Sequence, residues 1–330
     1  MIAKPTLLVL NPTCLDVVDE HRAWIEAQDV ELLAEHSYRT ASQEQVLAAL
    51  AGADAVILPA AIRNLPLAEH MSACPRLRVC SIAASGFEWL DIDAATRNGI
   101  VVCFAPGGLG AEVVAEMAVG MMFAVARQIP YHNQLLCRGD ETRGMGTSLF
   151  GKTLGIVGLG GIGRELAIRA QGLKMKVVAT EPQPNRQFIA ERGIELLPLD
   201  DLLKRADFVS LHVRLNEETQ NMIGRRELAL MKPTAYVINT ARRELVDEEA
   251  IVAAIRSGQI AGAGLDDPPV SAAQKLLGFP NVVFTPHLGN RAIEGVHAVF
   301  RAALEGAVSV LRGQRPSFVV NPEVYERALR

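Results

Sequence analysis

Cysteine is scarce in this chain and oddly counted. Cys14, Cys74, Cys80, Cys103 and Cys137 leave one residue over from any pairing, and no two stand as CxxC. That argues against a disulfide framework or a cysteine-rich zinc site, and it fits a reducing cytoplasm. No metal centre is expected. Aromatic residues are only 5% of the chain, which argues against surfaces that stack bases or sugars. No basic block is present, and 37 acidic against 33 basic residues give a net charge of −4, so nucleic acid is not an expected partner. Long apolar runs are also missing. The longest apolar helical stretch, Met117–Ala126, is too short to span a bilayer and follows Glu112 and Glu116. The opening MIAKPTLLVLNP has no small-residue cleavage site and reads as a first strand, not a signal peptide.

What is present is ordinary globular composition. The 330 residues are 49% hydrophobic and 21% charged, enough for one large domain or two of common size. Short apolar runs alternate with stretches of helical period. Strands are expected at Thr6–Leu10, Val30–Glu35, Ala55–Leu58, Leu77–Ala83 and Ile100–Phe104. Helices are expected between them, such as Val17–Gln28 and Gln43–Leu50. This is βαβ logic and implies a parallel sheet.

A long helix is predicted at Ala111–Arg127. Val114, Met117, Ala118, Met121, Met122 and Val125 share one face, which reads as core. The glycine-rich stretch 138–148 reads as a surface loop. A second βα series starts at Lys152, with strands at Thr153–Val157, Lys176–Thr180, Phe208–Val213, Ala235–Asn239, Ala261–Leu265 and Val282–Thr285. They are apolar on consecutive positions, as strands covered on both faces should be. A second long helix, Ala292–Leu311, stops before Gly313 and Pro316. The fold class is therefore α/β, with two Rossmann-like lobes built on doubly wound parallel sheets.

The sharpest local motif is Gly158-Leu159-Gly160-Gly161-Ile162-Gly163. It follows an apolar strand and opens a helix, as a dinucleotide fingerprint requires. Gly158 permits the tight turn, Gly160 lets backbone approach a pyrophosphate, and Gly163 lets helix and strand pack closely. Glu181 ends the next strand. An acid there accepts hydrogen bonds from ribose hydroxyls and repels a 2′-phosphate, which favours NAD over NADP. Open α/β sheets bind ligands at the carboxyl ends of their strands. Those ends carry His212, Arg214, Thr240, Ala241, Arg242, Asp266, Asp267 and His287. Arg242 offers a planar fork of donors to a carboxylate or carbonyl oxygen. His287 titrates near neutrality and can give or take a proton. With a nicotinamide beside them, the natural reaction is hydride transfer between cofactor and a hydroxyl or carbonyl carbon.

These segments resemble the D-isomer-specific 2-hydroxyacid dehydrogenases along nearly the whole chain. The resemblance rests on GKTLGIVGLGGIGRELA, LHVRLNEET, INTARRELVDEEAI, AGAGLD and NVVFTPHLG. It implies a split substrate lobe, residues 1–104 with 290–330, and a central NAD-binding lobe, 105–289. The active site would lie in the cleft between them. It implies that Arg242 binds the substrate carboxylate and carbonyl and that His287 is the acid/base. The cofactor would touch Gly158, Gly160, Gly161, Ile162, Gly163, Glu181, His212, Val213, Thr240, Ala241, Asp266, His287 and Gly289. Backbone amides around Ser85 and Gly86 would hold the carboxylate of a small 2-oxo or 2-hydroxy acid. A homodimer through the nucleotide lobe is implied as well.

The chain departs from the family pattern in four places. The family places a Glu five residues after the position of Asp266; here that position is Ser271, and no Glu occurs between Asp267 and His287. Either Asp267 takes that place, as a third catalytic residue, or His287 lacks its carboxylate. Arg214 replaces the family's Pro, and Arg243 replaces the Gly after Arg242. Both extra cations read as solvent-facing, with an anionic substrate or a cofactor phosphate as the alternative. The usual Trp-containing segment before Gly151 is replaced by the glycine-rich loop. The leading expectation is an NAD(H)-dependent 2-oxoacid reductase. The alternative, motivated by the missing Glu, is a non-catalytic NAD-binding regulatory protein.

Overall fold

The computed structural model describes residues 4–10, 15–34, 41–58, 71–87, 89–106 and 108–327. The chain forms two compact units, Met1–Gly110 with Ile293–Arg330, and Ala111–Ala292.

The first unit holds five parallel strands: β1 (Thr6–Val9), β2 (Glu31–Ala34), β3 (Ala55–Leu58), β4 (Val79–Ile82) and β5 (Val101–Phe104). Their order is β2-β1-β3-β4-β5. The inner strands β1, β3 and β4 are buried along their whole length, which is why each is mostly apolar, with only Thr6 and Ser81 as polar residues. The helix Ile293–Leu311 returns to this unit and buries Phe300, Ala303, Leu304 and Ala307 in its core. Beyond it, the buried Asn321 side chain accepts from Val102 N and donates to Ile100 O and Thr96 Oγ1, tying the tail to β5.

The second unit holds seven parallel strands: β6 (Thr153–Val157), β7 (Lys176–Thr180), β8 (Glu195–Leu196), β9 (Phe208–Leu211), β10 (Tyr236–Asn239), β11 (Gly262–Asp266) and β12 (Val282–Thr285). Their order is β12-β11-β10-β9-β6-β7-β8. The chain runs outward from β6 to β7 and β8, then crosses back to β9 and runs outward the other way. That reversal makes the carboxyl ends of β6 and β9 the switch point where a doubly wound sheet takes its ligand. The helix Ala111–Ala126 buries Ala118, Met121, Met122 and Val125 in this unit, as their spacing predicts, while Val114 and Met117 of the same predicted face are half-buried.

Several elements differ from the sequence expectation. The helix Ile129–Cys137 buries no residue and so leaves no amphipathic stripe to read. The edge strand β8 has only two residues, both exposed. The expected end of β2 at Glu35 lies outside the described residues, as does Cys14. Among the described residues Cys74, Cys80 and Cys103 are buried free thiols and Cys137 is an exposed one. Burial pushes the Cys103 thiol up to about 12. No single described helix is long and apolar enough to cross a membrane; Ala111–Ala126 and Ile129–Cys137 meet that test only together, as a pair bent by 59°.

Candidate active site

The glycine-rich turn sits at the switch point. Gly158 leaves β6 with φ +94°, a region that L side chains rarely adopt, and a Cβ there would stand 2.6 Å from His212 O. A Cβ on Gly163 would stand 2.1 Å from Gly158 O, so only glycine lets the helix Gly161–Gly172 sit this close to its strand. Around Gly160 nothing lies within 4 Å of the Cβ position. The backbone at 160–162 therefore presents free space and a helix N-terminus, which suit a pyrophosphate. Glu181, just after β7, braces the turn: its Oε2 accepts from Leu159 N at 2.8 Å and its Oε1 from Gln183 N at 3.0 Å.

Two unpaired polar atoms lie along the same rim. The His212 ring shares a 2.8 Å hydrogen bond between Nε2 and Ser210 Oγ, while its Nδ1 is buried without a partner. Desolvation pushes the imidazole pKa down to about 4, so the ring is neutral near pH 7. Thr240 Oγ1 at the end of β10 is also buried and unpaired. Buried polar atoms without partners are uncommon in folded proteins, and a bound cofactor is one way to satisfy them. Open space at Gly160, a helix N-terminus, a strand-end carboxylate and these atoms fit a dinucleotide.

The next strand end presents Arg242. Asn239 Oδ1 accepts from Ala241 N at 3.0 Å, and Asn239 Nδ2 donates to Arg242 O at 2.7 Å. That buried amide, which sequence reading passed over, fixes the turn carrying the half-buried Arg242.

Beside it, the ends of β11 and β12 are knotted together. Asp266 is 5% exposed, and its carboxylate accepts from Thr285 Oγ1 at 2.6 Å and from Leu288 N and Gly289 N at 2.7 Å each. Thr285 O in turn accepts from both Asp267 N and His287 N. Asp267 and His287 have φ of +74° and +57°, a strained region that Asp and His tolerate better than most residues. The shared carbonyl and the Asp266 carboxylate hold them there.

The side chains of Asp267 and His287 then meet, Nδ1 to Oδ2, at 3.3 Å. Arg243, at the start of the 3₁₀ turn Arg243–Leu245, hydrogen-bonds the other oxygen of Asp267. Burial raises the Asp267 pKa, but the hydrogen bond from Arg243, the contact with His287 and both positive charges outweigh it, so the carboxyl is held below its ordinary range. Arg243 is thus not the solvent-facing cation expected from sequence. Sequence reading saw it as a departure and did not pair it with Asp267. Arg214 is exposed. Ser271 lies on the helix Val270–Lys275 and hydrogen-bonds Glu248. Val213, Ala241 and Ile162 are half-buried at their strand and helix ends. Ser85 and Gly86 belong to the other unit, just beyond β4, with Ser85 exposed and Gly86 buried.

A doubly wound parallel sheet with a glycine-rich turn at its switch point, and with Arg, His and acids at its strand ends, defines a dinucleotide-dependent oxidoreductase. Residues 119–289 match the sequence model of the D-isomer specific 2-hydroxyacid dehydrogenase NAD-binding domain. A glyoxylate reductase of Thermofilum pendens is 35% identical over 98% of this chain and 93% of its own. A D-3-phosphoglycerate dehydrogenase of Methanocaldococcus jannaschii is 36% identical over 85% of this chain, which spans 54% of that longer protein. The crystal structure of Lactobacillus jensenii D-lactate dehydrogenase with NAD+ superposes with a TM-score of 0.80 at 27% identity, covering 96% of this chain and 99% of that one. The chain belongs to the D-isomer-specific 2-hydroxyacid dehydrogenase family. It is an NAD-binding oxidoreductase acting on the CH–OH group of 2-hydroxyacids.

Proposed function

We propose that this chain reduces a small 2-oxoacid to the D-2-hydroxyacid with NADH, and catalyses the reverse oxidation with NAD. The observation that carries this reading is the Asp267–His287 pair beside Arg242 on adjacent strand ends. A nicotinamide held at this rim would supply the hydride in reduction and accept it in oxidation. Arg242 holds the substrate carboxylate and polarises the carbonyl oxygen. His287 gives its proton to that oxygen as the carbon is reduced, and takes it back in oxidation. Asp267 orients the imidazole through Nδ1, leaving Nε2 for the substrate. The units are read as a substrate domain and an NAD-binding domain.

The alternative of a non-catalytic NAD-binding protein rested on the missing Glu, and Asp267 supplies a carboxylate to His287 instead. NAD is preferred over NADP because Glu181 would face a 2′-phosphate with like charge. A second copy of the chain is the expected partner, against exposed apolar residues such as Ile129, Leu136 and Phe150 of the second unit. The test is an initial-rate screen of NADH and NADPH against glyoxylate, pyruvate, hydroxypyruvate and phenylpyruvate. Turnover with NADH that is lost in Arg242→Ala and His287→Ala supports the assignment. NADH binding without turnover across the panel, or an unimpaired Arg242→Ala enzyme, refutes it.

A further inference from the structure

We infer that Arg243 is a positioning residue that sets the pH range of the reaction by sharing the Asp267 carboxylate with His287. The inference rests on the reading of His287 as the acid/base and goes one residue beyond it. One oxygen of Asp267 contacts His287 Nδ1 at 3.3 Å and the other accepts from Arg243 Nη2. All three side chains are only partly screened from water, at 40% exposure for His287, 33% for Arg243 and 23% for Asp267.

A lone carboxylate beside an imidazole does two things. It orients the ring, and its negative charge favours the protonated form. Here the guanidinium neutralises much of that charge while its hydrogen bond fixes the carboxylate. Orientation is kept and charge stabilisation is reduced. The Arg243 pKa is raised by the same contact, so the cation is permanent across the working range. The other charged groups near this corner include Asp266, Arg242, Glu244 and Glu248, the last lining the same pocket as Arg243 and engaged with Ser271 and Lys275. Asp266 has both oxygens engaged with Thr285, Leu288 and Gly289, Arg242 precedes Arg243 in the same turn, and Glu244 adds a weaker attraction to Arg243. None of these stands between Arg243 and Asp267.

The consequence is directional. Carbonyl reduction needs His287 protonated, so its rate falls as pH rises through a midpoint. Arg243 neutralises part of the carboxylate charge that would otherwise favour the imidazolium, so removing it should move that midpoint to higher pH. In Arg243→Gln the midpoint of kcat/KM for reduction should rise by about half to one pH unit, the scale of a charge acting through one intervening group. Relative to its own plateau, the variant then retains roughly three- to tenfold more activity on the alkaline side. Arg243→Lys keeps the charge and should leave the midpoint in place.

The experiment is the pH profile of 2-oxoacid reduction for the wild type, Arg243→Gln, Arg243→Lys and His287→Gln. NADH affinity and thermal unfolding of each protein serve as controls of folding. An alkaline shift in Arg243→Gln, restored by Arg243→Lys, is the expected result. A fall in kcat with an unmoved midpoint in Arg243→Gln overturns the role of Arg243, while loss of the titrating limb in His287→Gln leaves the acid/base reading intact. Persistence of that limb in His287→Gln overturns both.

Discussion

Paired alanine substitutions in the glycine-rich turn separate packing from cofactor binding. Gly163 lies in the first turn of the helix Gly161–Gly172, where Ala would ordinarily gain about 1 kcal/mol over Gly from helix propensity. Its Cβ, however, would stand 2.1 Å from Gly158 O and 3.2 Å from Ile156 Cγ2. The obstacle is mainly a backbone carbonyl, so relief requires the helix to move off the strand by roughly an ångström. Overpacking of this kind costs about 1–3 kcal/mol and, with a backbone neighbour, belongs at the upper end. The net loss for Gly163→Ala should be about 2 kcal/mol, or roughly 4–8 °C in the melting of the second unit. At Gly160 the backbone is extended, with φ −69°, and the Cβ position is open. Gly160→Ala should therefore leave the stability of the cofactor-free protein within about 0.5 kcal/mol. Its methyl group would still occupy the space a pyrophosphate needs, so NADH affinity should fall about tenfold or more. Thermal and urea unfolding without cofactor, with NADH titration by fluorescence, measures both quantities. A stable Gly163→Ala protein, or a Gly160→Ala protein that binds NADH as the wild type does, would refute the reasoning.

Acid stability should carry the mark of His212. Its folded pKa, pushed down to about 4, lies below the unfolded value near 6.5, so the native state should lose roughly 3 kcal/mol as pH falls from about 6.5 to 4. His212→Gln should flatten that limb in urea unfolding at pH 7, 5.5 and 4.5; His21, lowered mainly by burial and then by Arg301 and His297, acts in the same sense and remains in the variant. Glu181→Ala should raise the ratio of kcat/KM for NADPH over NADH about tenfold or more, and an unchanged ratio would remove Glu181 as the cofactor selector. Asp266→Asn should destabilise the protein by about 1–3 kcal/mol, because an amide cannot accept all three hydrogen bonds and leaves a buried donor unpaired.

Much of the fold was legible because strands buried on both faces are predominantly apolar runs. β1, β3, β4, β9 and β10 are of this kind, and the reading found each within a residue or two. Part of what escaped shares a cause, little burial per element. β8 is two exposed residues, Arg186–Arg192 buries none, and Ile129–Cys137 buries none over nine. Without a buried face there is no period to detect. The glycine-rich turn was legible for the opposite reason: its steric demands are local, and 2.1 Å to a carbonyl admits only glycine. The partnership of Arg243 with Asp267 depends instead on register. Asn239 pairs with Leu265, and Asp266 with Thr285, so the residues just past three strand ends converge at one corner. No spacing within the chain encodes that convergence.

The corner also explains how a chain without the family's Glu still furnishes His287 with a carboxylate. Asp266 and Asp267 are neighbours in sequence, and successive residues leaving a strand point to opposite sides. Asp266 turns inward and spends its whole acceptor capacity on Thr285, Leu288 and Gly289, making the scaffold that fixes the loop carrying His287. Asp267, held at φ +74° by its bond to Thr285 O, turns the other way and meets the imidazole. A Glu five residues further on would reach back through a flexible side chain. An Asp attached directly to the strand end has a shorter reach and fewer rotamers, so the backbone must place it, and both Asp267 and His287 stand at positive φ. The far oxygen of the short carboxylate accepts from Arg243 in the turn after β10, where the family has Gly. The loss of the Glu and the gain of the Arg, separate departures in the sequence, are one arrangement in space.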